Sequence, residues 1–92
     1  MNHEQFSKTY QFVRVGRNVG LDEHAKRPIY YVFNNRSGEA IGRIFYYPAW
    51  RQWVVSFAED SVWSTGCLAD VQDAIRLITA RHWPPTDAPL FP

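Results

Sequence analysis

The residues of this 92-residue chain best suited to chemistry lie in one stretch, Tyr46-Tyr47-Pro48-Ala49-Trp50-Arg51-Gln52-Trp53. Aromatic rings interleaved with arginine can stack unpaired bases and touch phosphates, which is how single strands are held on a sheet. The same residue types are enriched in the cores of protein interfaces. Arg43, Phe45, Tyr47, Trp50 and Arg51 are therefore the expected partner-binding residues. Three covers suit them: a second copy of the chain or another protein, a single-stranded nucleic acid, or the chain's own C-terminal tail.

The other reactive groups are more scattered. Cys67 falls in the first turn of an expected helix, where backbone amides favour a thiolate and so a thiol or small-molecule enzyme, but no base is spaced to serve it and a small apolar core residue is the simpler reading. His3, His24 and His82 lie far apart, without the Cys-x-x-Cys or His-x-x-x-His spacing of a metal site, so no metal and no cofactor is expected. Glu59-Asp60 reads as a polar turn rather than a catalytic carboxylate pair. Gly16-Arg17-Asn18-Val19-Gly20 has no helix after it to supply the amide dipole of a phosphate loop. No catalytic residue is assigned, and the chain reads as non-enzymatic.

Composition sets the frame for these groups. Hydrophobic residues at 46% and charged residues at 21% describe a globular chain. Aromatic residues reach 16%, with four Trp, five Tyr and six Phe, more rings than a domain of this size can bury completely. A net charge of +1 argues against a duplex-DNA binder that works by releasing counterions. That small total hides an asymmetry. Residues 1–51 carry eight basic and four acidic side chains, whereas residues 52–92 carry two basic and five acidic ones. One cysteine forms no internal disulfide, the N-terminus lacks the pattern of a signal peptide, and no apolar run is long enough to cross a bilayer. A cytoplasmic protein without a membrane partner is expected.

The elements that must position these residues follow from period and breakers. Tyr10–Val15 alternates as a strand, residues 17–28 form a loop, and Ile29–Phe33 is wholly β-branched or aromatic. Asn34 to Glu39 supplies turn residues for a hairpin into Ala40–Tyr47, and Pro48–Arg51 turns into Gln52–Phe57, with Val62-Trp63 as a further short extended piece. Short spacings make this an antiparallel meander of about four strands. From Leu68 the apolar residues Leu68, Val71, Ile75 and Ile78, widened by Ala74 and Leu77, adopt helical spacing. Ser64 or Thr65 is placed to cap that helix and Asp70 to favour its N-terminus. Pro84 and Pro85 require it to stop by Trp83.

The expected fold is α+β, an antiparallel sheet with one C-terminal helix on one face, comprising a single domain over residues 1–83 and a proline-rich tail over 84–92. One helix covers one side of the sheet only. Ala40, Gly42, Ile44 and Tyr46 carry no charge and are expected beneath the helix; Ile41, Arg43, Phe45 and Tyr47 then face away, with Leu90 and Phe91 of the tail as a lid.

The runs Tyr31-Val32-Phe33-Asn34-Asn35-Arg36-Ser37-Gly38, Trp50-Arg51-Gln52-Trp53-Val54-Val55-Ser56-Phe57 and Val62-Trp63-Ser64-Thr65-Gly66-Cys67-Leu68 resemble short hypothetical proteins of phages and other mobile elements, integron gene cassettes among their settings. The resemblance spans about residues 29–80. It implies a small accessory protein that acts by binding, and it brings no established activity or functional residues. The sequence thus reads as a binding module, with self-association or a protein partner as the leading use of the aromatic and arginine face and a single-stranded nucleic acid as the alternative.

Overall fold

A computed structural model describes residues 6–17 and 27–82. Its order is β1 (Ser7–Thr9), β2 (Val13–Arg17), β3 (Tyr30–Asn34), β4 (Ala40–Tyr47), β5 (Gln52–Phe57) and α1 (Thr65–Arg81). The strands form one antiparallel sheet in sequence order, and α1 packs against β2 and β5. The α+β meander is as expected, with five strands rather than about four.

The added strand and a shifted one have a common origin. Ser7-Lys8-Thr9 has no hydrophobic alternation to announce it, yet it pairs with Arg14–Gly16 at the sheet edge, where polar side chains are acceptable. Tyr10–Phe12, expected within a strand, instead forms the turn that joins β1 to β2, closed by the Tyr10 amide on the Val13 carbonyl at 2.7 Å. Side chains from elsewhere stabilise that turn. The Asn35 amide donates to the Tyr10 and Gln11 carbonyls, and the Asp70 carboxylate accepts from the Phe12 amide. Asp70 therefore anchors the turn and lies beyond the first turn of the helix whose N-terminus it was expected to favour. Arg17, expected to open a loop, ends β2 opposite Tyr30.

Ser64 is the N-cap, its Oγ accepting from the Cys67 amide at 3.1 Å. The helix stops at Arg81, with His82 as the C-cap. Val71, Ala74 and Ile78 form the buried stripe, flanked by half-buried Cys67 and Ile75, whereas Leu68 is 41% exposed and lies off it. Facing them are Val13, Val15, Tyr30, Val32, Ile44, Tyr46 and Trp53. Val62 and Trp63 make no strand; Val62 is exposed and Trp63 packs edge-on to Phe57 at 4.7 Å. A Cβ on Gly42 would come within 3.3 Å of the Trp63 indole and 3.2 Å of the Ser56 carbonyl, so a larger residue there requires the indole or strand to shift by a few tenths of an ångström.

A β-bulge between β3 and β4 corrects the expected faces at one point. Val32 pairs with Gly42 but Phe33 pairs with Ala40, which leaves Ile41 as the extra residue. Ala40 consequently shares a face with Phe33 and is exposed, while Ile41 is buried with the core, the reverse of simple alternation for both.

Asp73 ties the N-terminal edge to the helix. Its carboxylate accepts from Tyr10 at 2.7 Å and from Arg76 at 2.7 Å, with Lys8 more distant at 3.4 Å. The Arg76 hydrogen bond foremost, and then that of Tyr10, lower its pKa from 3.8 to about 2. Burial first, and then the Asp73 bond, push the Tyr10 hydroxyl upward. A depressed carboxylate stabilises the folded state at pH above its unfolded value and loses that contribution as pH falls from about 4 toward 2. Asp73→Asn should flatten the acid limb of a stability–pH profile in this window and speed amide exchange in β1 while leaving β4 protected. Equal exchange in both strands would show that β1 does not depend on this tether.

Candidate functional site

The face of the sheet away from α1 is set by pairing register. Arg14 lies opposite Phe33, Tyr31 opposite Arg43, and Arg43 in turn opposite Ser56; Phe45 and Tyr47 follow along β4. Arginine and ring are in contact. The Arg14 guanidinium sits 4.3 Å from the Phe33 centroid and that of Arg43 sits 5.5 Å from Phe45, close enough for cation–π attraction. Tyr31 and Phe33 are neighbours at 6.5 Å. Tyr31, Phe33 and Phe45 are half-buried, and Arg14 and Arg43 are exposed. Beside Arg43, a shallow cavity of about 270 Å³ is bounded by Tyr31, Ala40, Ser56 and Phe57, a size suited to a single planar ring.

The β4–β5 turn divides its two expected site residues. Trp50, 65% exposed, packs edge-on against Tyr47 at 5.0 Å and so extends the ring-bearing face. Arg51 does not join it. With φ at 54° in the left-handed region, Arg51 lines a different cavity on the helix side of the sheet, together with Tyr46 and Trp53. Arg43, Phe45, Tyr47 and Trp50 are thus gathered on one surface, and Arg51 belongs to another. Arg14, Tyr31 and Phe33 join that surface without having been expected there. The signal for Arg14 was its alternation with Val13 and Val15 in an expected strand; placing it opposite Phe33 required the pairing register.

No family model, curated protein or solved structure matches this chain. Geometry alone therefore carries the functional reading.

Its electrostatics are uneven in a way the total charge conceals. None of the five strands contains an aspartate or glutamate, whereas they hold Lys8, Arg14, Arg17 and Arg43. Asp70 and Asp73 lie on α1, across the sheet from Arg14 and Arg43. The helix itself is balanced, Asp70 and Asp73 against Arg76 and Arg81, so the basic bias lies in the strands, and a local field of this kind acts on a ligand even when the net charge is small.

The remaining candidates are separated by the fold. Cys67 is half-buried at the start of α1 and packs against the core. His82 lies fifteen residues farther along the same axis, about 22 Å at 1.5 Å per residue, and so is no base for Cys67. His82 stacks on Trp53 at 4.9 Å, and its Nε2 is 2.9 Å from the Tyr30 hydroxyl. Burial foremost, then the charges of Arg81 and Arg17, lower its pKa. Among the described residues no group of three or more His, Cys, Asp or Glu is placed to hold a metal ion, and no helix is long and apolar enough to cross a membrane. His3, His24, most of the 17–28 loop and the tail with Leu90 and Phe91 lie outside the described residues.

Proposed function

We propose that this protein is a binding module that holds single-stranded nucleic acid on the sheet face opposite α1. The observation that carries the reading is the pairing of Arg14 with Phe33 and of Arg43 with Phe45 on a sheet whose strands contain no carboxylate. Bases stack on rings and guanidinium planes in any sequence, and the arginines meet phosphate. Tyr31, Tyr47 and Trp50 extend the platform, and the cavity beside Arg43 admits one planar ring. Such a module suits the accessory role that the resemblance to mobile-element proteins implies.

The same surface was expected to serve a homodimer. A face-to-face dimer would bury Arg14 and Arg43 against a copy whose facing strands carry no carboxylate to receive them, and buried unpaired charges cost several kcal/mol. This favours the polyanion over the second copy.

Titration with a single-stranded oligothymidylate should quench the fluorescence of Trp50, and the affinity should fall roughly tenfold between 50 and 200 mM salt if two or three phosphates are engaged. Quenching that is absent, or that ignores salt, overturns the proposal. Sedimentation of the free protein at high micromolar concentration separates the dimer, which predicts a doubled mass without any oligonucleotide.

A further inference from the structure

The second cavity lies on the other side of the sheet, where the β4–β5 turn and the start of β5 meet the last turns of α1. Its volume is about 450 Å³, within the range of small-molecule sites. Ile75 and Thr79, one helical turn apart, line it from α1; Tyr46 and Trp53 line it from the sheet; Arg51 and Gln52 line it from the turn. The aromatic part is rigid. Trp53 is stacked on His82 with 29° between the rings and meets Tyr46 edge-on at 5.8 Å, so three rings fix one another before any ligand arrives.

Most polar groups around this apolar base lack internal partners, although His82 Nε2 meets Tyr30 and the Arg27 guanidinium lies 4.5 Å from the Tyr46 ring centroid. The Tyr46 hydroxyl is buried and makes no hydrogen bond, a costly arrangement for a polar atom in a core. His82 contacts Tyr30 through Nε2, and Nδ1 has no partner among the described residues. Arg51, Gln52 and Thr79 likewise make no side-chain hydrogen bond or ion pair among them. Among the described residues Arg51 is the one charged side chain in the lining, held there by a turn that places it in the left-handed region. The nearest strong acid on the helix, Asp73, is already engaged by Arg76 and Tyr10.

We propose that this cavity is a binding site for a small organic anion with a planar apolar body, its anionic head on the Arg51 guanidinium and its body against Trp53, Tyr46 and Ile75. Gln52 and Thr79 supply neutral donors at the rim. The head is recognised by charge-assisted hydrogen bonding and the body by ring contact, so charge and shape are separable contributions. The site is distinct from the nucleic-acid face and does not depend on it.

The experiment follows backbone amide shifts during titration with naphthalene-2-carboxylate and with the neutral naphthalene-2-carboxamide. The carboxylate should shift Gln52, Thr79 and His82 in a saturable way and bind about tenfold more tightly than the carboxamide. Arg51→Gln should abolish that tenfold preference by weakening the carboxylate far more than the carboxamide, and Arg51 is exposed, so the fold should tolerate the change. Shifts that do not saturate, that centre on Tyr31 and Arg43, or that show the same preference in Arg51→Gln overturn the proposal.

Discussion

Replacing Arg14 and Arg43 together by glutamate should weaken binding of single-stranded oligothymidylate at least about a hundredfold at low salt, taking about 1.4 kcal/mol for each lost charge-assisted contact. Both side chains are exposed and neither is paired with a carboxylate, so the fold should survive. What the fold loses is the attraction of each guanidinium for its ring, about 0.5–1 kcal/mol apiece. The two effects therefore separate: a modest fall in melting temperature against a near-complete loss of fluorescence quenching. Undiminished affinity would mean that the nucleic acid, if bound, sits elsewhere.

The same variant distinguishes the two occupants of the face. For nucleic acid, reversing the charge turns attraction of phosphate into repulsion, and adding wild-type protein does not make the variant associate. For a symmetric dimer, glutamates of the variant would oppose arginines of the wild type, so a mixture should associate more tightly than either protein alone. Sedimentation of the mixture reads this directly. A gain on mixing would replace the nucleic-acid reading with self-association.

Much of this surface could be read in advance because antiparallel strands obey a period of two. Arg43, Phe45 and Tyr47 had to share a side, and a lone helix could cover only one side. Three things escaped that rule for physical reasons. Arg51 follows Trp50 by one residue, and a turn with φ at 54° directs the two to opposite sides of the sheet, which no alternation describes. The bulge at Ile41 exchanged the faces of Ile41 and Ala40, since an extra residue changes parity without leaving a mark in composition. Ser7–Thr9 became a strand through long-range bonding, its neighbour Tyr10 reaching Asp73 some sixty residues on. The small cavity beside His82 was likewise hidden. His82 appeared only as a residue near a helix end, and its stacking on Trp53 depends on where α1 crosses β5.

The helix offers the sharpest test of how a period becomes a packing interface. Its apolar residues fit more than one stripe, and the sequence reading placed Leu68 with Val71, Ile75 and Ile78. The structure keeps Val71, Ala74 and Ile78 in the stripe with Ile75 at its flank, but puts Cys67 rather than Leu68 at its start, leaving Leu68 41% exposed and Ile78 fully buried. Ile78→Ala should therefore cost about 3 kcal/mol, the sum of lost transfer free energy and a cavity that the surrounding sheet cannot close. For a domain of this size that lowers the melting temperature by roughly 15 °C. Leu68→Ala removes the same number of carbons from a site that is already 41% exposed and should cost about 1 kcal/mol or less. The ratio of the two losses in thermal or denaturant unfolding is the decisive quantity. Equal losses would mean that α1 is rotated about its axis from the position described, and with it Thr79, Ile75 and the wall they contribute to the cavity beside Arg51.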